Sequence, residues 1–191
     1  MRILDWDTGS RAELAAFITA LLNAGFWEYD DVLEWVSAWA DDSGVVPLDE
    51  AAALLQQSWH ERLAEQATWT DTGDFGRLER AFAELEGDGV VARMCFSCCQ
   101  SCAFHEIADE RAHDEAGYAY FHESDAQVLG TDDATLYLAF GSFDPDVADD
   151  VTVGAQVAAA ARRHGLDVEW SGSPSERVAL HIREWRKPLP A

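Results

Sequence analysis

Lysine is nearly missing from this chain: Lys187 is the only one in 191 residues, and with arginine the basic residues total 13. Against them stand 36 acids, for a formal net charge of -23. A surface of that sign repels nucleic-acid phosphates and anionic lipid, so neither a nucleic-acid nor a membrane partner is expected. The scarcity of lysine points to GC-rich coding or a salt-adapted surface, and to no mechanism. Long apolar runs are missing as well. No stretch approaches the roughly 18 residues of a membrane span, and the start, Met1 to Ser10, carries acids where a secretory signal would have a basic and then an apolar segment. The expected location is the cytoplasm. There is no phosphate loop, no dinucleotide-binding glycine fingerprint and no nucleophile-elbow serine. Internal repeats and low-complexity segments are absent too.

What remains is a chain built to fold. It is 48% hydrophobic and 11% aromatic, which supports one good core, or a core with a helical satellite, without staples. The front half has helical periodicity. Leu14, Phe17, Ile18, Leu21 and Leu22 form one stripe, with Ser10 and Glu13 at capping-box spacing and Gly25 as a stop. Val32, Trp35, Val36 and Trp39 form a second stripe, ending near Gly44. A third helix begins at Pro47 and carries Leu55, Trp59 and Leu63 to about Thr68, and Phe75, Leu78, Phe82 and Leu85 mark a fourth. The tryptophans recur at helical spacing, as core residues do.

From Val90 the period changes. Strands are expected at Val90 to Phe96, Tyr118 to Glu123, Thr135 to Phe143, Leu166 to Trp170 and Val178 to Ile182. Helices are expected from Cys98 to about Ala112 and from Val151 to His164, with Gly165 as the stop. The fold class is then α+β. An N-terminal helical bundle precedes an antiparallel sheet with helices on one face, in the split β-α-β order of ferredoxin-like folds. Residues 1–70 form the helical region and 71–191 the α+β domain, with Thr70 to Asp74 as the best linker candidate, although one continuous domain is also compatible. Acidic pairs such as Asp30-Asp31 and Asp149-Asp150 fall at loops or helix starts, where capping and solvation explain them.

Cysteine is scarce but concentrated. All four, Cys95, Cys98, Cys99 and Cys102, lie within eight residues at the expected strand-to-helix turn. In a reducing compartment such a cluster holds thiols or thiolates. With Ser97 as cap, Cys98 and Cys99 would occupy the first helical turn, where free N–H groups favour thiolates. Cys98 and Cys102 are four residues apart and Cys99 and Cys102 three, so Cys102 neighbours both on a helix.

Metal binding is the leading reading. One closed four-cysteine site would strain so short a segment, so the expected ligands are Cys98, Cys99 and Cys102 with His105 or His122, His113 being a further candidate, and zinc is the expected ion. His105-Glu106 is a near miss for a zinc-protease helix, since Asp109 stands where the second histidine belongs. A thiol-disulfide redox protein is the first alternative, with a first-turn thiolate and a resolving thiol three or four residues on. The other is an acidic module for a protein partner, its cysteines inert and buried.

The run Phe96-Ser97-Cys98-Cys99-Gln100-Ser101-Cys102 follows Gly89-Val90-Val91-Ala92-Arg93. Glu106-Ile107, Gly117-Tyr118, Phe121-His122 and Leu136-Tyr137-Leu138 come after it. Together they resemble an uncharacterised actinobacterial domain-of-unknown-function family with a Phe-Ser/Thr-Cys-Cys-x-Ser/Thr-Cys signature. The resemblance covers roughly Phe75 to Trp185 and implies no activity. The family pattern has a polar residue where Cys95 stands and glycine where Ala103 stands, so a mechanism that requires Cys95 would not be general to it.

Overall fold

The computed structural model describes residues 10–112, 114–131, 133–145 and 148–190. The chain divides into two compact units, one running to Thr72 and including the segment from Arg186, the other spanning Gly73–Trp185.

The first unit holds three helices, α1 (Arg11–Ala24), α2 (Tyr29–Ser43) and α3 (Leu48–Gln66). Ser10 and Glu13 close the expected capping box reciprocally, which satisfies two amide donors at the start of α1. Leu14, Phe17, Ile18, Leu21 and Leu22 of α1 are buried with Val32 and Val36 of α2. Trp27 and Trp35 meet edge to face at 5.5 Å, and Tyr29 and Trp59 at 5.1 Å, so these rings are indeed packing groups. One stripe departs from expectation. On α3 the buried positions are Ala51, Leu55 and Arg62, whereas Leu63 is 36% exposed. Arg62 is accommodated because its guanidinium donates to the Asn23 carbonyl and to Glu65 and lies 4.7 Å over the Trp69 ring. The final segment returns to this unit, where the Leu189 N–H donates to Gln66 and Lys187 sits over the Phe26 ring.

The second unit opens with α4 (Gly73–Gly87) and continues with β1 (Val90–Arg93), α5 (Gln100–Glu106), β2 (Gly117–Tyr120), α6 (Glu123–Ala126), β3 (Ala134–Ser142), α7 (Asp150–Arg163), β4 (Asp167–Glu169) and β5 (Val178–Ile182). Short 3₁₀ turns extend α5 through Glu110 and α6 through Gly130. The described residues are thus mixed α/β, with seven α-helices and a five-stranded, mostly antiparallel sheet in the order β1-β2-β3-β5-β4.

Two features correct the expected topology. First, β1 and β2 are adjacent and parallel, with Val90 opposite Gly117, so the β1-α5-β2 unit is not split. The split arrangement occurs once, in β3-α7-β4: both strands run antiparallel to β5, which lies between them. Second, helices cover both faces. α4 and α7 pack together and onto the sheet, burying Leu78, Phe82, Leu85, Val153 and Val157 with Leu136, Leu138, Val178 and Leu180. Each such side chain contributes about 1.5–3 kcal/mol. α7 lies so close to the sheet that a Cβ on Gly117 would meet Val153 at 2.6 Å, and one on Gly154 would meet Phe140 and Trp170 at 2.6 Å. On the opposite face α5 and its 3₁₀ turn bury Ala103 and Ile107 against Val91, Tyr120 and Ala139.

The expected linker also contains a structural corner. Asp74 is 3% exposed, and its carboxylate accepts from the N–H groups of Arg183 and Glu184 at 2.8 and 2.9 Å and from Arg77 at 2.5 Å. The Asp74 N–H donates to the Glu184 carbonyl, so the start of α4 is bound to the chain just after β5.

Candidate functional site

After Arg93 the strand stops short of the expected Phe96, because the next residues leave extended geometry. Cys95 (φ 51°) and Ser97 (φ 58°) both occupy the left-handed region, which is costly for side chains with a Cβ. The turn is held from outside. The Phe96 N–H donates to the Phe121 carbonyl at 2.8 Å, the Glu123 N–H to the Ser97 carbonyl at 3.0 Å, and the Ser124 hydroxyl to the Cys98 carbonyl at 3.2 Å. The Phe96 ring packs against Tyr120 at 5.9 Å. The cysteine turn is thus laced to the beginning of α6.

The helix starts later than the sequence suggests. Cys99, not Ser97, is the cap (φ -161°), and α5 begins at Gln100, which leaves Cys98 ahead of the helix. All four cysteines are half-buried. The sulfurs of Cys98, Cys99 and Cys102 all lie within 4.8 Å of one another, and among the described residues this is the group of donor atoms close enough to hold a metal ion. Cys95 is not part of it.

The three thiols are electrostatically unequal. The Cys102 N–H is aimed at the Cys99 sulfur, and with the Cys102 and Cys98 thiols and the Ser101 N–H it lowers the Cys99 pKa below the ordinary 9.0, although no full capping hydrogen bond closes. The Cys102 thiol is pushed up to about 12, because it donates toward Cys98 and Cys99 and would ionise beside them.

Neither expected histidine joins the sulfurs. His105 lies exposed on α5, edge-on to Phe104 at 5.8 Å. His122 is buried as the cap of α6: its Nδ1 accepts from the Asp125 N–H at 3.2 Å, and its Nε2 faces the Asp125 carboxylate at 3.1 Å. Burial lowers its pKa, against the pull of Asp125, so the ring is held neutral with its proton on Nε2. His113 lies outside the described residues.

The profile of a domain family of unknown function, DUF6891, matches residues 7–189. The chain belongs to this family. The match takes in both units, a wider span than the Phe75 to Trp185 on which the resemblance rested. No curated protein and no solved structure matches the chain. For this DUF6891 member the site must therefore be read from its own chemistry.

Sequence reasoning missed Ser124 and Asp125, which tie the cysteine turn and His122 together. The signal was present as His122 followed three residues later by Asp125, a capping spacing at the end of a strand. No helix among the described residues is long and apolar enough to cross a membrane.

Proposed function

We propose that this protein binds a soft metal ion, zinc foremost, through Cys98, Cys99 and Cys102. The observation that carries the reading is the convergence of three half-buried sulfurs within 4.8 Å. Tetrahedral zinc with Zn–S bonds of about 2.3 Å sets its sulfurs about 3.8 Å apart, so the cluster needs to contract by no more than about an ångström. Soft thiolates select zinc or copper(I) over magnesium or calcium. Binding would replace the shared thiol protons, which removes the inequality between Cys99 and Cys102. His105, three residues beyond Cys102, is the candidate for the fourth position, with water as its competitor. His122 would have to abandon Asp125 to serve. A reducing cytoplasm suits the free thiols, and the Phe-Ser/Thr-Cys-Cys-x-Ser/Thr-Cys run of an actinobacterial family is read here as the motif of this site.

One observation favours a second reading. A thiol held below its ordinary pKa beside two others is the arrangement for disulfide exchange, with Cys99 attacking and Cys102 or Cys98 resolving the mixed disulfide.

Intact mass of protein purified without chelator or reductant, taken native and then denatured, tests both. Added mass that disappears on denaturation, and is missing from Cys98→Ser, Cys99→Ser and Cys102→Ser, supports the metal. A deficit of about two daltons that survives denaturation supports the disulfide. A reduced, metal-free mass with melting unchanged by chelator or added zinc overturns the metal reading.

A further inference from the structure

The outer face of the sheet is only half covered. α5 occupies it over β1, β2 and the adjoining part of β3, and beyond lies a cleft of about 730 Å³ lined by Gln100, Tyr137, Glu169, Trp170, Glu176 and Arg177, among others. Its floor follows from register. Tyr137, Ala179 and Glu169 stand opposite one another on β3, β5 and β4, so a small residue lies between two long ones and leaves a depression. Gln100 of α5 forms one wall, directly after the capping Cys99, and the loop after β4 forms the other. The volume falls within the range of ligand pockets.

The walls are set, and part of their polar chemistry is unused. The indole N–H of Trp170 donates to the carbonyls of Ser173 and Glu176, which fixes the loop after β4, while its ring turns to the α7 side against Phe140. Arg177 is committed: its guanidinium reaches both carboxylate oxygens of Asp125, at 3.2 and 2.9 Å, and covers the Tyr137 ring at 5.0 Å. Its charge is therefore answered within the protein. Among the described residues Glu169 and Glu176 are not answered by any arginine or lysine: Glu169 is 80% exposed with His181 at 3.3 Å, and Glu176 accepts from the Ser171 hydroxyl. The Tyr137 hydroxyl and the Gln100 amide have no hydrogen-bond partner among the described residues.

We infer that this cleft binds a basic polypeptide segment, its cationic side chain between Glu169 and Glu176 and its main chain against Gln100 and the Tyr137 hydroxyl. An amide that both donates and accepts matches a peptide group, and the open volume exceeds that of one side chain. The net charge of -23 steers such a partner toward the protein. The cleft also adjoins the cysteine turn: Arg177 binds Asp125, and the neighbouring Ser124 hydroxyl donates to the Cys98 carbonyl. The inference stands whether or not the cysteines hold a metal.

The test is fluorescence anisotropy of a short fluorescein-labelled peptide of lysine, phenylalanine and glycine, alongside its glutamate-for-lysine counterpart. Saturable binding of the basic peptide is expected, weakened about ten-fold in Glu169→Gln/Glu176→Gln. The control Glu34→Gln/Glu61→Gln, an equal charge change on the first unit, should change it by less than about two-fold. Should the cleft variant melt early, Tyr137→Phe, which removes an unbonded hydroxyl, must still weaken binding. Absence of saturable binding, equal loss in both charge pairs, equal binding of the acidic peptide, or displacement by arginine amide at the peptide's own concentration each overturns the inference.

Discussion

Two polar corners of the second unit, both at turns leading into helices, behave oppositely in structure. At Asp74 a carboxylate is buried, with both oxygens occupied by two backbone donors and an arginine. At the cysteine turn three sulfurs converge, half-buried, and their main polar neighbours are one another and the adjacent N–H groups. The first corner has spent its bonding capacity on the chain itself. The second retains donor capacity that points to a common centre. A saturated buried group is a structural fastener, whereas an unsaturated convergent group at a strained turn is a site.

The largest effect expected from separating these roles is removal of the metal. If zinc sits on the cysteines at a hundred times its Kd, chelation lowers stability by about 2.7 kcal/mol. Cys102→Ser should abolish that difference while changing the metal-free protein by less than about 1 kcal/mol. Calorimetric melting with and without chelator reads both numbers. Second in size is the effect at Asp74. Asp74→Ala leaves the part-buried Arg183 and Glu184 N–H groups without their acceptor and releases Arg77, which costs about 2 kcal/mol. Urea unfolding should show that loss with metal content unchanged. An equal loss of metal would mean that the two corners are not separable.

The sequence made this contrast only half legible. Spacing revealed the cysteines, because residues three and four apart become neighbours once the chain turns into a helix. It also located the strands, since the alternation of Val178, Leu180 and Ile182 and of Leu136 and Leu138 survives as the buried face of β5 and β3. Hidden from it were interactions whose partners lie far along the chain. Asp74 reads as a turn residue among Thr, Asp and Gly, and its donors come from Arg183 and Glu184, more than a hundred residues later. The register that puts Ala179 between Tyr137 and Glu169 is equally non-local. The late start of α5 was missed for another reason: a cysteine at the cap is rare, and Ser97, the better cap by type, sits in the left-handed region instead.

A smaller effect comes from a half-buried fastener whose bonds point to no common centre. Glu84 on α4 accepts from Arg163 and from His164 of α7, and these partners lower its pKa below 4.5. A carboxylate lowered on folding stabilises the protein above its unfolded pKa and loses that contribution as pH falls through the folded one. Wild type should therefore exceed Glu84→Gln in urea midpoint at neutral pH, and the two should converge well below pH 4.5. A constant gap down to strong acid would show that the glutamate acts through packing alone.

The smallest expected change in stability, and the sharpest in reactivity, concerns the thiols themselves. In metal-free protein Cys99 should be alkylated first, with a rate midpoint below pH 9.0, and Cys102 last, its ionisation displaced toward pH 12. The delay at Cys102 is imposed by its neighbours, with Cys98 the larger cause and Cys99 the next. Cys98→Ala/Cys99→Ala should then accelerate labelling of Cys102 at a fixed pH, even though two reactive groups have been removed from its surroundings. Peptide mapping after timed iodoacetamide exposure separates the outcomes. Faster labelling means that the three sulfurs share protons as one centre, the state from which a metal displaces them. Unchanged labelling would mean that Cys102 is slow because it is covered, and the cysteine turn would then resemble Asp74 more than it differs from it.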